Sequence, residues 1–200
     1  CYYKAVDDGG PALWVSGVVP VDDKVQRIAW FTEGIDAELM TIVREMPEVA
    51  QDYYNDKHSL NRIYPPFDVL SQYEPKMDIP SFNFYYLADA QHNPDRKAVW
   101  VDEPYVDPAG RGWMVSCIVP VYVGEELVGV VGLDVTVAEI VENYLQPASR
   151  AWALVDRNGT IVAATEAAIE LFDMPPLTDH RYVNTVKSDR YRSEDYNLLQ

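Results

Sequence analysis

Cysteine is nearly missing. Cys1 and Cys117 are the two in 200 residues, and that scarcity excludes a disulfide-stapled scaffold. Cys117 lies inside the apolar run Met114 to Val121, where a small buried hydrophobe is expected, although a staple between the two stays open. Basic residues are scarce as well: 16 Lys plus Arg stand against 32 Asp plus Glu, for a formal net charge of -16. A field of that sign repels phosphate backbones and anionic lipid surfaces, so no nucleic-acid partner is expected. The longest apolar runs, Val128 to Val131 and Trp152 to Val155, fall far short of the roughly 20 residues that span a bilayer. Histidine is limited to His58, His92 and His180, each in a polar context. A Gly-rich phosphate loop, His-Glu-x-x-His, Cys-x-x-Cys and Gly-x-Ser-x-Gly are all absent, which removes the common nucleotide-binding, metalloprotease and esterase signatures. Neither cofactor nor metal is expected. No initiator Met, basic leader or cleavage site opens the chain, so it reads as a mature or excised piece. Cys1 then fits either a trimmed end or the lipidated residue of a bacterial lipoprotein.

Apolar and aromatic residues are plentiful. Hydrophobic residues make up 48% of the chain, with 14 Tyr and 5 Trp, a composition that builds a core and not a disordered tail. The length suits one large domain or one and a half small ones. Ala12 to Pro20 and Gln26 to Phe31 are β-branched and aromatic around the polar Asp22 to Lys24, which predicts a strand pair. Apolar positions Ile35, Leu39, Ile42, Val43 and Met46 keep the spacing of one helix face until Pro47, after which a second short helix carrying Val49, Tyr53 and Tyr54 is expected. Asn61 to Pro80 holds four prolines and predicts an irregular loop leading into a strand over Phe82 to Ala88.

Downstream the pattern sharpens. Ala98 to Val101 predicts a short strand and Asp102 to Gly112 a turn-rich excursion. Trp113 to Tyr122 and Leu127 to Val135 are apolar and flank the turn Val123 to Glu126, the pattern of a hairpin lying centrally in a sheet. Thr136 and Glu139 form a capping box that opens a helix closed by Pro147. Ala151 to Ala164 predicts a second hairpin, with Asn158 and Gly159 supplying a two-residue primed turn. The end, Ser188 to Tyr196, is polar and expected to fray.

Carboxylates and tyrosines gather near these strand ends. Asp134 follows the apolar Gly129 to Leu133 and precedes the capping Thr136. A charge there is costly to bury without a partner. It serves either as a local acceptor of backbone N–H groups or as an anchor for a ligand ammonium or hydroxyl. Tyr105 and Asp107 share one face of an extended segment by their period-two spacing. With Tyr85, Tyr86, Trp100 and Trp113 they supply the ingredients of an aromatic-walled pocket, or simply of a core. Two other classes stay open: a periplasmic hydrolase using Ser116 and Asp134 with a histidine, and a calcium-dependent structural or adhesion module using Asp102, Glu103 and Asp107.

The stretch from Ala98 to Asp107, then Trp113 to Tyr122, then Leu127 to Val135 resembles the signature of the double Cache sensor domain, also called PDC. In that signature a Trp is followed by Pro-Tyr-x-Asp, an apolar strand ending in Pro-Val, and Gly-Val-x-Gly-x-Asp before a helix. The match covers about Ile63 to Tyr144, and Trp152 to Ala164 looks like the opening hairpin of a second module. The resemblance implies an α+β fold of PAS-like Cache modules, each a central antiparallel sheet flanked by helices. Residues 1–147 would be the first, membrane-distal module with the ligand pocket, and residues 148–200 a partial, membrane-proximal second one. It implies a non-enzymatic extracytoplasmic sensor, anchored by transmembrane helices outside this chain. Its partners would be a small polar ligand, amine-bearing or neutral, a cytoplasmic output domain of the kinase, chemoreceptor or diguanylate cyclase kind in the same full-length chain, and a second copy in a homodimer. Carried over residue by residue, the ligand positions are Tyr105, Asp107 and Asp134, joined by Tyr85, Tyr86, Asp89, Trp100 and Trp113. Amino-acid-binding members show an Arg and a Trp-Tyr pair ahead of this stretch. Phe84 to Asp89 occupies that place without an Arg, so the resemblance does not extend to a generic amino-acid ligand.

Overall fold

A computed structural model describes residues 2–4, 7–159 and 161–174. Helix α1 (Asp23–Thr32) replaces the strand expected over Gln26 to Phe31. Asp22 decides this locally, because its carboxylate accepts from the amides of Lys24 and Val25, each at 3.0 Å, and satisfies donors that a helix start leaves open. Val25, Ile28, Ala29 and Thr32 then recur at helical spacing and pack inward, which outweighs the β-branched and aromatic content. A single 3₁₀ turn (Glu33–Ile35) joins α1 to α2 (Asp36–Glu45), the helix expected before Pro47.

Beyond Pro47 the chain enters strand β3 (Gln51–Asp56) instead of a second helix. All six residues of β3 are buried, and the strand sits inside a seven-stranded sheet with β1 (Tyr2–Tyr3), β2 (Ala12–Val15), β4 (Leu60–Tyr64), β5 (Val99–Val106), β6 (Trp113–Val123) and β7 (Glu126–Thr136), in the order β1-β2-β4-β3-β7-β6-β5. β3 pairs antiparallel with β4 and with β7, Gln51 facing Asp134 and Tyr53 facing Gly132 in register. The fold is therefore α+β around an antiparallel sheet, as the sequence predicts. The strand expected over Phe82 to Ala88 is the helical turn α4 (Asn83–Tyr86), where the carbonyl of Phe82 accepts from both Tyr85 and Tyr86. A second turn, α3 (Val69–Gln72), interrupts the proline-rich stretch.

Compactness divides the chain into two units. The first comprises residues through Val101 together with Ser116–Asp134. One side of its sheet is covered by α1 and α2, where Val15, Val25, Tyr54 and Leu60 form a buried cluster with Ile28, Ile35 and Val131. Arg62 of β4 fastens both helices: its guanidinium donates to both carboxylate oxygens of Asp36 at 2.8 and 2.9 Å and to the carbonyl of Ala29 at 2.6 Å. The second unit comprises Asp102–Val115 and the residues from Val135 on. In it the Thr136 hydroxyl accepts from the Glu139 amide at 3.0 Å and opens α5 (Val137–Tyr144), the expected cap. Val115, Val137, Ile140, Val162 and Ala163 make its core, with Trp113 packed against it. The hairpin β8 (Ala153–Val155) and β9 (Ile161–Ala164) is followed by α6 (Glu166–Leu171). Its turn differs from the expected two-residue form: Val155 pairs with Ile161, and of Asn158 and Gly159 the glycine alone has positive φ, at 85°. The Asp156 carboxylate, accepting from the Asn158 amide at 2.8 Å, organises the longer loop. The Ser188 to Tyr196 end lies outside the described residues.

Two glycines of β7 explain how adjacent tyrosines of β3 fit. A Cβ at Gly132 would stand 2.2 Å from the Tyr53 ring, and one at Gly129 would stand 2.5 Å from the Tyr54 ring. Tyr53 and Tyr54 thus lie over opposite faces of β7, each across a residue with no side chain. Gly132→Ala is expected to destabilise the chain by about 1–3 kcal/mol through overpacking. Denaturant unfolding checks this against Gly34→Ala, where no atom lies within 4 Å and little change is expected.

Candidate functional site

Four of the six buried side chains of β3 are polar: Gln51, Asp52, Asn55 and Asp56. Burying such groups is unfavourable unless each finds a hydrogen-bond partner. Asn55 receives the Asn61 amide at 2.8 Å, and Asn61 in turn accepts the Tyr73 hydroxyl at 3.2 Å. Asp56 accepts from the His58 amide at 2.6 Å and meets its ring nitrogen Nδ1 at 2.8 Å. Gln51 reaches across to β7 and donates through Nε2 to Oδ2 of Asp134 at 2.7 Å. The other Asp134 oxygen accepts the Ser116 hydroxyl at 2.5 Å. Gln51, Ser116 and Asp134 are exposed by no more than 1%. They form a polar cluster inside the sheet, spanning β3, β6 and β7.

This cluster places two residues raised from sequence. Asp134 does not cap the following helix, a task that belongs to Thr136, but holds a carboxylate among side-chain donors. The Ser116 hydroxyl donates a hydrogen bond to that carboxylate. His58 and His92 pair with Asp56 and Asp89, while His180 lies outside the described residues. The Ser116 hydroxyl is thus engaged with a carboxylate, and the two described histidines are paired with Asp56 and Asp89. The side chains of Asp102 and Glu103 are not described, and among the described residues no group of three His, Cys, Asp or Glu could hold a metal ion.

Tyr53, two residues from Gln51 on the same side of β3, continues this surface over Gly132 and meets Phe84 of α4 edge-on, ring centroids 6.1 Å apart. Tyr85, next in α4, is buried, and its hydroxyl has no hydrogen-bond partner among the described residues. Burial pushes that phenol above its ordinary range, and the charges reaching it are those of Asp56, Tyr54, Tyr122 and Glu126. Those groups mark the end of the sheet where β3 turns into β4 and β6 into β7. Asp134 stands at the other end of β7, so the structure does not bring Tyr85 and Asp134 together. Tyr86 is half-buried beside the His92 ring, centroids 5.3 Å apart. Asp89 is spent on its own turn, accepting from the amides of Gln91 and His92. Trp100 is 56% exposed on the outer strand β5.

In the second unit, Tyr105 is buried on β5, and Asp107 follows the strand. The Asp107 carboxylate accepts from the amides of Ala109 and Arg111 at 2.9 and 3.1 Å, while its backbone bonds Gly110 and Gly112. It shapes the loop between β5 and β6. Trp113 packs on α5 as part of a core.

Sequence reading missed Gln51 and Asp52, because a helix was expected there. The available signal was period-two: Gln51, Tyr53 and Asn55 alternate with Asp52, Tyr54 and Asp56. Asp52 points to the opposite side from Gln51 and is fully buried, and neither of its carboxylate oxygens has a hydrogen-bond partner among the described residues. Burial, reinforced by the charge of Asp134, pushes Asp52 up to about 8.

No protein-family profile matches the chain, and no curated relative does. Solved structures do. The ligand-binding domain of the Pseudomonas aeruginosa PAO1 amino acid chemoreceptor PctB, in complex with L-Arg, aligns at TM-score 0.53 and 18% identity, over 78% of this chain and 68% of that one. The ligand-binding domain of the Campylobacter jejuni chemoreceptor Tlp3, in complex with L-norvaline, aligns at TM-score 0.49 and 14% identity, over 74% of this chain and 54% of that one. A third, that of PctC from Pseudomonas aeruginosa PAO1 in complex with GABA, aligns at TM-score 0.47 and 19% identity, over 77% of this chain and 76% of that one. The chain thus spans about half the length of the Tlp3 domain. It has the fold of bacterial chemoreceptor ligand-binding domains, the Cache type that its sequence resembles.

The Asp52 carboxyl gives a pH test with a definite sign. Its folded value lies above that of the unfolded chain, near 4, so between pH 4 and 8 the native state holds a proton that the unfolded state has released. This group's contribution to stability is therefore greatest at low pH and declines as pH rises to about 8, by at most about 1.4 kcal/mol per pH unit. Melting from pH 5 to 9 is expected to fall more steeply in the parent chain than in Asp52→Asn, with the variant the more stable above pH 8. Parallel curves would remove Asp52 as the cause.

Proposed function

We propose that this chain is the ligand-binding part of an extracytoplasmic sensor in a transmembrane signal transducer, and that it takes a small polar molecule bearing an amine or neutral donor groups. Residues 1–147 form the first module in this reading and residues 148–200 the start of a second. The observation that carries the reading is the Gln51–Ser116–Asp134 cluster. A carboxylate held inside a sheet by two neutral donors lies in surroundings where water screens it little, so a ligand ammonium would gain a strong charge-assisted hydrogen bond there. The fold supports the reading, since PctB, which shares it, is a ligand-binding domain in complex with L-Arg.

In the proposal Asp134 accepts the ligand's donor, and Gln51 and Ser116 fix the position of its two oxygens. Tyr53 and Phe84 wall the same side of the sheet. Tyr85 lies toward the other end of the sheet, where its hydroxyl, without a hydrogen-bond partner among the described residues, offers a second polar contact to an elongated guest. Tyr105 and Trp113 stay with the second unit, and Asp107 acts by shaping its loop. No enzymatic step is assigned. Occupancy signals only if the ligand binds one arrangement of the module more tightly than another, and the output domain lies in the same full-length chain. Among the described residues no helix is long and apolar enough to cross a membrane; in this reading the anchoring helices belong to other segments of the full-length protein.

The test is a calorimetric and thermal-shift panel of L-arginine, γ-aminobutyrate, L-norvaline and succinate. Stabilisation by an amine-bearing member is expected, and Asp134→Asn is expected to weaken its binding by about 1–3 kcal/mol, roughly 5- to 150-fold. Stabilisation by succinate alone, or an affinity indifferent to Asp134→Asn, would overturn the assignment.

A further inference from the structure

Two buried carboxylates lie one register step apart on neighbouring strands. Gln51 of β3 stands opposite Asp134 of β7, and Asp52 stands opposite Leu133. With strands about 4.8 Å apart and a rise of about 3.4 Å per residue, the backbones of Asp52 and Asp134 are separated by roughly 6 Å. Their side chains leave the sheet on opposite sides, because paired residues share a side and successive residues alternate. Both are exposed by no more than 1%, so water does little to screen one carboxylate from the other.

Their surroundings differ. Asp134 accepts from Gln51 and Ser116, whereas neither oxygen of Asp52 has a hydrogen-bond partner among the described residues. On the side that Asp52 faces, β4 contributes Tyr64, its pairing partner, and Arg62, while β7 contributes the apolar Leu133 and Val131. Arg62 is committed elsewhere, to Asp36 of α2, the Ala29 carbonyl and the Thr32 hydroxyl. The other ionisable groups of α2, Glu38, Arg44 and Glu45, are exposed. The charge that reaches Asp52 is that of Asp134, and together with burial it pushes Asp52 up to about 8. Two like charges so placed oppose each other's formation, and the pair holds one proton through the neutral range.

We infer that Asp52 and Asp134 act as one proton-linked pair, and that an ammonium or guanidinium bound to Asp134 on one side of β3 releases the proton held by Asp52 on the other. This rests on the ligand reading proposed above and adds the regulation of that site. A bound cation offsets the charge of Asp134 and so removes the repulsion that keeps Asp52 protonated. Linkage makes the effect reciprocal: a ligand that expels the proton binds more tightly as rising pH removes it. A neutral ligand brings no charge and leaves the proton in place. The site therefore reads amine concentration and pH together.

The experiment has one arm without ligand and one with it. In the first, the side-chain carboxyl signals of the carbon-labelled 200-residue chain are followed by NMR from roughly pH 5 to 9, with Asp52 assigned by its loss in Asp52→Asn. Its midpoint is expected to fall by at least about one pH unit in Asp134→Asn, and an unchanged midpoint in that variant overturns the pairing. Should Asp134→Asn not fold, arginine added to the parent chain takes its place and is expected to lower the same midpoint. In the second arm L-arginine, whose guanidinium stays charged throughout this range, is titrated calorimetrically in phosphate and in Tris. Binding roughly tenfold tighter at about pH 8 than at about pH 6 is expected, with a difference in heat between the buffers that reports proton release. Asp52→Asn is expected to bind arginine with neither effect. Binding without proton release, or release that persists in Asp52→Asn, overturns the displacement and leaves the ligand site standing. Arginine that binds at no pH overturns the displacement together with the choice of a cation for the site.

Discussion

Strand β3 is buried along its whole length, yet four of its six side chains are polar. A central strand normally avoids this, because every buried polar head must be solvated by the protein itself. Much of the first unit can be read as the answer to that constraint. Asn61 and Tyr73 serve Asn55, the β3–β4 turn serves Asp56 through His58, and Gln51 joins Asp134 to Ser116. Each arrangement demands a particular register between β3 and its neighbours, since a slip by one residue would turn every one of these groups to the other side of the sheet. The polar content of β3 therefore fixes the pairing that places Asp134.

The two sides of this sheet do different work. One receives α1 and α2 through an aliphatic cluster and the Arg62 guanidinium, which spans both helices. The other carries Gln51, Tyr53 and Asn55, with Tyr53 against Phe84 and Asn61 against Tyr73. The first is a structural face that also buries Asp52, whose carboxylate has no hydrogen-bond partner among the described residues. The second is aromatic and hydrogen-bonding. Gly129 and Gly132 let Tyr54 and Tyr53 lie across β7 on opposite sides, which keeps the rings close to the strand that bears Asp134.

Sequence made the later part of the first sheet legible because its signals are local. The run Trp113 to Val135 alternates valines and small residues around a short polar turn, and Thr136 with Glu139 announces the helix that follows. Asp134 was recognisable for the same reason, a charge closing an apolar strand. Much of the region before Ala88 was not, because there tertiary contacts override local preference. Gln51 to Asp56 lacks the hydrophobic run of an interior strand, since its partners are supplied by residues as distant as position 134. Asp22 converts a β-branched and aromatic segment into α1 through two backbone hydrogen bonds. Phe82 to Tyr86 carries strand-forming residues and yet coils into a turn over the sheet. Fold class was within reach of pattern and resemblance together. The donors that hold Asp134 were not, because they depend on which strands become neighbours.

The central claim is that the Asp134 carboxylate, positioned by Gln51 and Ser116, is where a guest molecule is held. The most direct measurement is an NMR titration of the nitrogen-labelled chain with the amine that binds it, following the side-chain amide of Gln51, which donates to Asp134 at 2.7 Å. On this account that amide shifts with ligand concentration along with the backbone signals of Ser116 and Asp134, while Asn158 in the turn between β8 and β9 stays still. Saturable binding that leaves Gln51, Ser116 and Asp134 unmoved would contradict it.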